Sequence, residues 1–246
     1  MTAKPDSHSL SIIVPALNEA ECIGTVLRGI MDMGDYEELF VVDGGSTDGT
    51  IDIAEALGVH VLRQSQPGFG PGLYEAFEAA QGDLICIVDA DGSHDWRDIP
   101  QMRSMIAEGY DYVLGSRYKG SFRYRGVMRW PWSTSDDDSR LHEWGNLSIV
   151  MLAKIFHGYP LSDVMMGLQM WRKSIFETVR LEEPSQAFEA EFKLRVHHGG
   201  FRMGEISTQE HPRIGGDAKL NAWTDGLATG RVLLREWWKR RWRKRR

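Results

Sequence analysis

Two aspartates one residue apart, Asp89 and Asp91, follow the apolar run Leu84 to Val88 (LICIV). Carboxylates at the tip of a buried strand are costly to desolvate unless positive charge accompanies them. Side chains at i and i+2 leave a strand on the same side, so this pair, with Ala90 between, can address one site. Oxygen donors with open positions suit Mg2+ or Mn2+ held jointly with a diphosphate. Such an ion would neutralise charge on a departing nucleoside diphosphate. The competing reading is a solvated acidic turn that caps the next helix.

Other polar groups recur at strand ends: Asn18 and Glu19 after the first apolar run, Asp43 after the second and Arg117 after the fifth. A guanidinium at Arg117 suits phosphate oxygens or one of the aspartates, or is simply a surface arginine. Asp43 can hydrogen-bond a base or ribose, and Asp48 can cap a helix. Arg213-Ile-Gly-Gly-Asp-Ala-Lys219 joins two cations to a glycine hinge, a segment able to fold over a phosphate and release it, or a solvated basic loop. Gly68-Phe-Gly70-Pro-Gly72 lacks the Lys-Ser/Thr of a P-loop and suggests at most close backbone approach to a nucleotide. No histidine has zinc spacing. His94, three residues past Asp91, is the one placed to support a metal or its ligands.

The elements that must position these groups alternate. Strands are expected at Leu10 to Val14, Leu39 to Val42, Val59 to Leu62, Leu84 to Val88 and Tyr112 to Leu114. Helices lie between them: Glu19 to Ile30 capped by Asn18, one through Ile51, Ala54 and Leu57 capped by Asp48, Leu73 to Ala80, and one through Met102 and Ile106. This alternation predicts an α/β fold with a mostly parallel sheet and helices on both faces. Ligands then bind outside the strands' carboxyl ends, where the polar groups cluster. Beyond Lys119 the expected elements are a long mobile loop from Gly120 to Arg140, helices at Leu147 to Phe156 and Phe188 to His197, strands at Gly167 to Trp171 and Arg202 to Ser207, and an amphipathic helix from Leu227 to Trp242.

At 246 residues, with 42% hydrophobic and 26% charged, the chain suits one large globular domain. The expected division is a nucleotide-binding part (1–119), an acceptor and loop part (120–226) and a basic C-terminal helix (227–246). Cys22 and Cys86 sit in apolar-periodic stretches and read as buried, unbridged thiols. No signal peptide or bilayer-spanning run is visible, so the expected location is cytoplasmic, or peripheral on the cytoplasmic membrane face. Net charge is −6, but the last twelve residues hold eight Lys/Arg and one Glu, which leaves −13 on the rest. An acidic body argues against nucleic acid as a partner. Trp and Arg in the tail REWWKRRWRKRR suit peripheral contact with an anionic membrane, or a solvated basic end.

Together, SIIVPALNEAECI, VVDGGSTDGT, IVDADGSHDW and VLGSRY resemble glycosyltransferase family 2. LSDVMMGLQMWRK, DADGSH and the spacing Arg213-x-x-Gly216-x-x-Lys219 narrow the likeness to dolichol-phosphate mannosyltransferases. The resemblance implies a nucleotide-sugar-binding Rossmann-like GT-A fold. It assigns Pro15, Leu17, Glu19 and Asp43 to the nucleoside and Asp89, Ala90 and Asp91 to nucleotide and metal. Arg117, Arg213 and Lys219 go to phosphates of donor or acceptor. Departures are Leu17, where many relatives have Tyr, Gly44 in place of a second Asp, Ala218 in place of Ser, Gly167-Leu168 in place of Gly-Phe, and the Arg/Trp/Asp-rich insert after Lys119.

The implied activity is inverting, metal-dependent transfer of a sugar from a nucleotide-diphosphate sugar donor to a polyprenyl phosphate, with GDP-mannose the leading donor. A lipid phosphate is already nucleophilic, so the protein supplies alignment and charge stabilisation. A hydroxyl acceptor would instead require a carboxylate base, for which Glu189 and Glu191 are the candidates. A nucleotide-sugar-binding protein without turnover, or a nucleotidyltransferase, would share the same donor site.

Overall fold

A computed structural model describes residues 8–119, 140–216 and 222–243 of the chain. The first half alternates as β1 (Leu10–Ala16), α1 (Ile23–Met33), β2 (Glu38–Asp43), α2 (Thr50–Ala56), β3 (His60–Arg63), α3 (Phe69–Ala79), β4 (Leu84–Ile87), α4 (Ile99–Ala107) and β5 (Tyr112–Ser116). The second half adds α5 (Arg140–His157), β6 (Gln169–Arg172), α6 (Ser174–Thr178), α7 (Phe188–His198), β7 (Met203–Ser207) and α8 (Ala222–Arg243). The loop expected from Gly120 to Arg140 lies outside the described residues, save for Arg140, which opens α5.

One seven-stranded sheet runs in the order β3-β2-β1-β4-β6-β5-β7. β1 pairs in parallel with β2 and β4, and β5 with β7. β6 lies antiparallel to both β4 and β5. The two halves of the chain therefore share one sheet: β6 is laid between two strands that precede it in sequence. β1 and β4 read as continuous apolar runs because both are interior strands, and Leu10, Ile12, Ile13, Val14 and Leu84 to Val88 are all buried. Both cysteines are buried and free.

Two expected helix caps differ from the structure. α1 begins only at Ile23, with Cys22 at its N-cap. Asn18 instead takes a positive φ of 51° and accepts a hydrogen bond from the Thr47 backbone N–H at 2.8 Å. Asp48 sits one residue before the N-cap Gly49. Its carboxylate still accepts the Thr50 N–H at 3.0 Å and reaches across to the Ala20 N–H at 3.0 Å. The Thr50 hydroxyl accepts the Glu19 N–H at 2.8 Å. The polar residues after β1 and β2 thus stitch the two loops to each other, and this stitching sets the position of Glu19.

α7 is buried on nearly every face, including Glu189, Glu191 and Lys193. An aromatic cluster seats it: Phe77 of α3 meets Trp171 of β6 edge-on with ring centroids 4.9 Å apart, and Trp171 meets Phe192 of α7 at the same distance. α8 is clamped against α7 and the segment before it. Arg235 pairs with Glu183 at 3.0 Å and Glu191 at 2.7 Å, Arg195 with Glu236 at 3.1 Å, and Lys239 with Glu182 at 2.7 Å. Arg240 donates to the His157 carbonyl at 3.1 Å. Several cations of the basic tail are therefore held within the molecule, while Leu234, Trp238 and Trp242 face outward.

Histidines close the junction of α5, α7 and α8. Nε2 of His157 lies 3.0 Å from the Leu233 carbonyl, so it carries the proton, and Nδ1 accepts from His198 Nε2 at 3.1 Å. A second proton on His157 Nδ1 would face the His198 Nε2–H, while one on His198 would place a charge beside Arg240 in a buried junction. Burial, then the charges of His157, Arg240 and His197, push His198 down to about 4, with Glu236 opposing. Burial likewise lowers His157. The folded chain binds fewer protons here than the unfolded chain, whose histidines titrate at about 6.5. Stability contributed by the junction is thus present above about pH 6.5 and is lost as pH falls toward about 4. Denaturant midpoints measured across that window should fall with pH, and His198→Gln should flatten the slope relative to the native chain.

Candidate active site

β1 and β4 are neighbours in the sheet, yet β1 leads through α1 to β2 on one side, while β4 is reached from β3 at the far edge. Their carboxyl ends therefore open a crevice at a switch point of the topology. A cavity of about 270 Å³ lies there. Pro15, Leu17 and Glu19 reach it from the end of β1, Gly44 and Gln64 from the ends of β2 and β3, and Asp89, Ala90 and Asp91 from the end of β4. Met165, Gly167, Gln186, Glu189 and Arg213 close it from the second half of the chain.

Arg213 is the cation of this cleft. Its Nη1 lies 2.6 Å from Asp91 Oδ2, and its Nη2 lies 3.0 and 3.1 Å from the two oxygens of Glu19. The other Asp91 oxygen accepts the Ser93 N–H at 2.9 Å and the Ser93 hydroxyl at 2.7 Å. Burial acts to raise the Asp91 pKa, but His94, the Ser93 hydrogen bonds and Arg213 outweigh it and hold the carboxyl below its ordinary range. Asp89 is pushed the other way, chiefly by burial and also by the charges of Asp91 and Glu189, against the pull of His94. Nδ1 of the buried His94 accepts the Asp89 N–H at 3.1 Å, which leaves Nε2 facing Asp89 Oδ2 at 3.5 Å. His94 therefore orients Asp89 through both ring nitrogens.

The resemblance assigns Arg117 to phosphates of donor or acceptor; in the structure its guanidinium is engaged by carboxylates beside the cleft. Arg117 is 5% exposed and does not line the cavity. It forms a two-pronged pair with Asp163, Nε to Oδ2 at 2.8 Å and Nη2 to Oδ1 at 3.1 Å, and its Nη1 meets Glu210 at 3.1 Å. Burial would raise the Asp163 carboxyl, but Arg117 holds it below the ordinary range. The expected contact of Arg117 with Asp89 or Asp91 gives way because Asp163, 46 residues later, is the carboxylate that folding brings to it. Asp43 is also buried beneath the cleft, where it accepts the N–H groups of Gly45 at 2.8 Å and Ser46 at 3.0 Å and shapes the turn under Gly44. Lys219 lies outside the described residues.

The two glutamates offered as bases separate. Glu189 faces the cleft and is held by the fully buried Lys193 at 3.0 Å. The Lys193 ammonium also donates to the carbonyls of Val164 at 2.8 Å and Met166 at 2.7 Å. Glu191 faces away and is consumed by structure: it accepts the N–H groups of Glu182 and Glu183 and pairs with Arg235 and Arg195. Gly167 marks where the walls converge. A Cβ there would sit 2.8 Å from His94, 3.0 Å from Asp89 Oδ2 and 3.4 Å from Glu189 Oε1, so any side chain would crowd the carboxylates.

Gly68 and Gly72 line the cavity, as close backbone approach to a ligand there requires, and the glycines of this segment also permit tight chain packing. A Cβ on Gly70 would lie 2.4 Å from the Glu183 carbonyl, and one on Gly72 would lie 2.1 Å from Gln64 Oε1. No motif in the sequence pointed to Gln64, Gln186 or Met165 as cavity residues. The only signal for Asp163 was its place in LSDVMMG, and Gln64 is a polar residue after a short strand without any motif.

Among the described residues, no group of three or more His, Cys, Asp or Glu is arranged to hold a metal alone. Asp89 and Asp91 offer two carboxylates whose oxygens already attract the Arg213 guanidinium, so the donor set fits a hard divalent cation completed by phosphate oxygens. Replacing Arg117 by Met would leave the Asp163 carboxylate buried without its cation. The expected loss of stability is about 3–5 kcal/mol, read by urea denaturation, with nucleotide affinity of the folded protein unchanged.

Comparison with known proteins bears on this geometry. Residues 11–203 match the family described as Glycosyl transferase family 2. Glycosyltransferase AglJ of Haloferax volcanii is 31% identical over 224 residues, spanning 90% of this chain and 70% of the relative. Dolichyl-phosphate hexose transferase of the same organism is 26% identical over 226 residues and 92% of each chain. Glucosyl-3-phosphoglycerate synthase from Mycobacterium tuberculosis, solved with Mn2+, uridine-diphosphate and phosphoglyceric acid, superposes with a TM-score of 0.72 at 21% identity, over 94% of this chain and 78% of that one. The same enzyme with Mg2+ and uridine-diphosphate gives 0.70 at 22%, over 92% and 78%. These structural likenesses speak for the fold alone.

Proposed function

The chain belongs to glycosyl transferase family 2 and is a glycosyltransferase of GT-A fold, and from that premise we propose that it transfers a hexose, with inversion, from a nucleoside-diphosphate sugar to a polyprenyl phosphate. Mannose from GDP-mannose is the leading donor. The observation that carries the reading is the convergence of Asp89 and Asp91 with Glu19 and Arg213 on the crevice between β1 and β4.

In this reading Pro15, Leu17 and the Gly44 turn receive the nucleoside, and Asp89 and Asp91 hold Mg2+ or Mn2+ against the diphosphate. The metal, when bound, stabilises negative charge on the leaving group. Arg213 and Lys219 add positive charge toward the phosphates. The lipid acceptor is supported by the relative named as a dolichyl-phosphate hexose transferase and by the outward apolar residues of α5 and α8. Trp238 is 52% exposed, Trp242 61% and Ile155 69%, and no described helix is long and apolar enough to cross a membrane. Aromatic residues beside cations suit the interfacial layer of a bilayer.

Glu189 supports a second reading, transfer to a soluble hydroxyl. It is the one of the two candidate bases that faces the cleft, where it could accept the proton of an attacking hydroxyl.

Incubation of the chain with GDP-mannose or UDP-glucose, Mn2+ and a polyprenyl phosphate should release nucleoside diphosphate only when the lipid is present. Asp91→Asn should slow that release by about a hundredfold or more. Transfer to a soluble alcohol instead, lost in Glu189→Gln, would favour the hydroxyl acceptor. In a separate measurement, the native chain should co-sediment with anionic vesicles. Replacing Trp238 and Trp242 together by Ser should abolish sedimentation while leaving the circular dichroism spectrum intact. Equal sedimentation of both proteins would remove the membrane contact.

A further inference from the structure

The Asp91 oxygen that meets Arg213 is one that a metal ion would also use, which sets two positive charges against each other at one carboxylate. At 2.6 Å, Nη1 occupies Asp91 Oδ2, and the other oxygen is engaged by both the N–H and the hydroxyl of Ser93. A metal ion at Asp91 is therefore opposed by the guanidinium's charge, and each weakens the other's hold on the carboxylate. Glu19 holds Nη2 at 3.0 and 3.1 Å and parks the side chain across the mouth of the cleft. The parked position is incomplete: Arg213 Nε is buried with no hydrogen-bond partner among the described residues, a state that buried N–H groups rarely keep.

The backbone around Arg213 forms a strap over the acidic turn. The His211 N–H donates to the Ser93 carbonyl at 2.9 Å and the Ile214 N–H to the Asp91 carbonyl at 3.0 Å. Ile214 packs so closely on Gly92 that a Cβ there would lie 2.4 Å from its Cδ1. On the far side the Gly216 N–H donates to Glu21 at 2.9 Å, and the Cys22 thiol lies 3.2 Å from the Gly215 carbonyl. Gly216 has a φ of +74°, a conformation that glycine adopts at no steric cost. The strap's one Lys/Arg among the described residues, Arg213, points into the cleft.

We propose that Arg213 is an exchangeable counter-ion, with Glu19 as the positioning residue that parks it. Arg213 and the divalent cation compete for Asp91, and the donor diphosphate relieves the competition by offering the guanidinium phosphate oxygens in its place. A planar guanidinium suits this exchange because carboxylate and phosphate present the same paired acceptors to it. Metal and nucleotide binding are then coupled through one side chain, and thermodynamic reciprocity requires each to strengthen the other by the same factor. The inference rests on the metal reading of Asp89 and Asp91.

The test is Mn2+ binding to the full chain, followed by the electron paramagnetic resonance signal of free Mn2+, with and without UDP or GDP. In the native chain, nucleotide should strengthen Mn2+ binding. Arg213→Gln should bind Mn2+ without nucleotide about tenfold more tightly than the native chain, and the strengthening by nucleotide should shrink correspondingly. Arg213→Lys keeps one charge but cannot span Asp91 and Glu19 together. It should fall between the two, and it carries the test if the Gln variant does not fold. Nucleotide-free Mn2+ affinity that is unchanged or weaker in these variants, in a protein that binds Mn2+ with nucleotide, would overturn the exchange while leaving the metal reading intact. If the native chain binds no Mn2+ with either nucleotide, the metal reading fails and takes the exchange with it.

Discussion

Carboxylates crowd the carboxyl ends of β1 and β4, and their mutual repulsion in a sheltered crevice is the constraint that the rest of the site answers. Glu19, Asp89, Asp91 and Glu189 all reach one cavity. Two unit charges about 4 Å apart repel by roughly 4 kcal/mol at the effective dielectric of a protein surface. The raised Asp89 carboxyl registers that cost together with burial. Each of these acids has been given a partner: Arg213 for Glu19 and Asp91, the His94 ring for Asp89 and Lys193 for Glu189. A cluster of this kind can tolerate, and favours, the arrival of a cation.

His94 and Lys193 are near neighbours in sequence of the acids they serve, but Arg213 comes from far along the chain. Arg213 is 194 residues from Glu19 and 122 from Asp91. The antiparallel insertion of β6 between β4 and β5 likewise brings the 163–167 segment to the crevice. That segment is then pinned from both sides. Arg117 grips Asp163 from the end of β5, and Lys193 grips the Val164 and Met166 carbonyls from α7. Buried ion pairs contribute little net stability once desolvation is counted. Here they hold Gly167 against His94, Asp89 and Glu189 with no room for a side chain.

α7 divides its acids by helix geometry. Two residues apart on a helix, Glu189 and Glu191 cannot face the same way. One looks into the cleft, and the other joins the network of Arg195, Arg235 and Glu236 that seats α8. The basic tail thus has an inward role beside the outward one its composition suggests: part of its charge anchors the helix whose exposed tryptophans remain free to meet another phase.

The strand–helix alternation of the first 116 residues, a cleft at the strands' carboxyl ends, and the approach of Glu19 and the aspartate pair to it were legible in the chain alone, while Pro15, Leu17 and Ala90, which also line the cavity, were indicated by the family resemblance. Apolar runs and the polar residues that end them are local patterns, and a parallel sheet gathers such strand ends on one side. Tertiary structure decided the rest. Arg117 serves Asp163 because sheet order, which sequence spacing does not encode, places β6 beside β5. Gln64 enters the cleft, and Glu189 and Glu191 part company, only once the elements pack. Partner choice among charges is a long-range property: a guanidinium takes whichever carboxylate the fold leaves within about 3 Å, and only the assembled sheet determines which one that is.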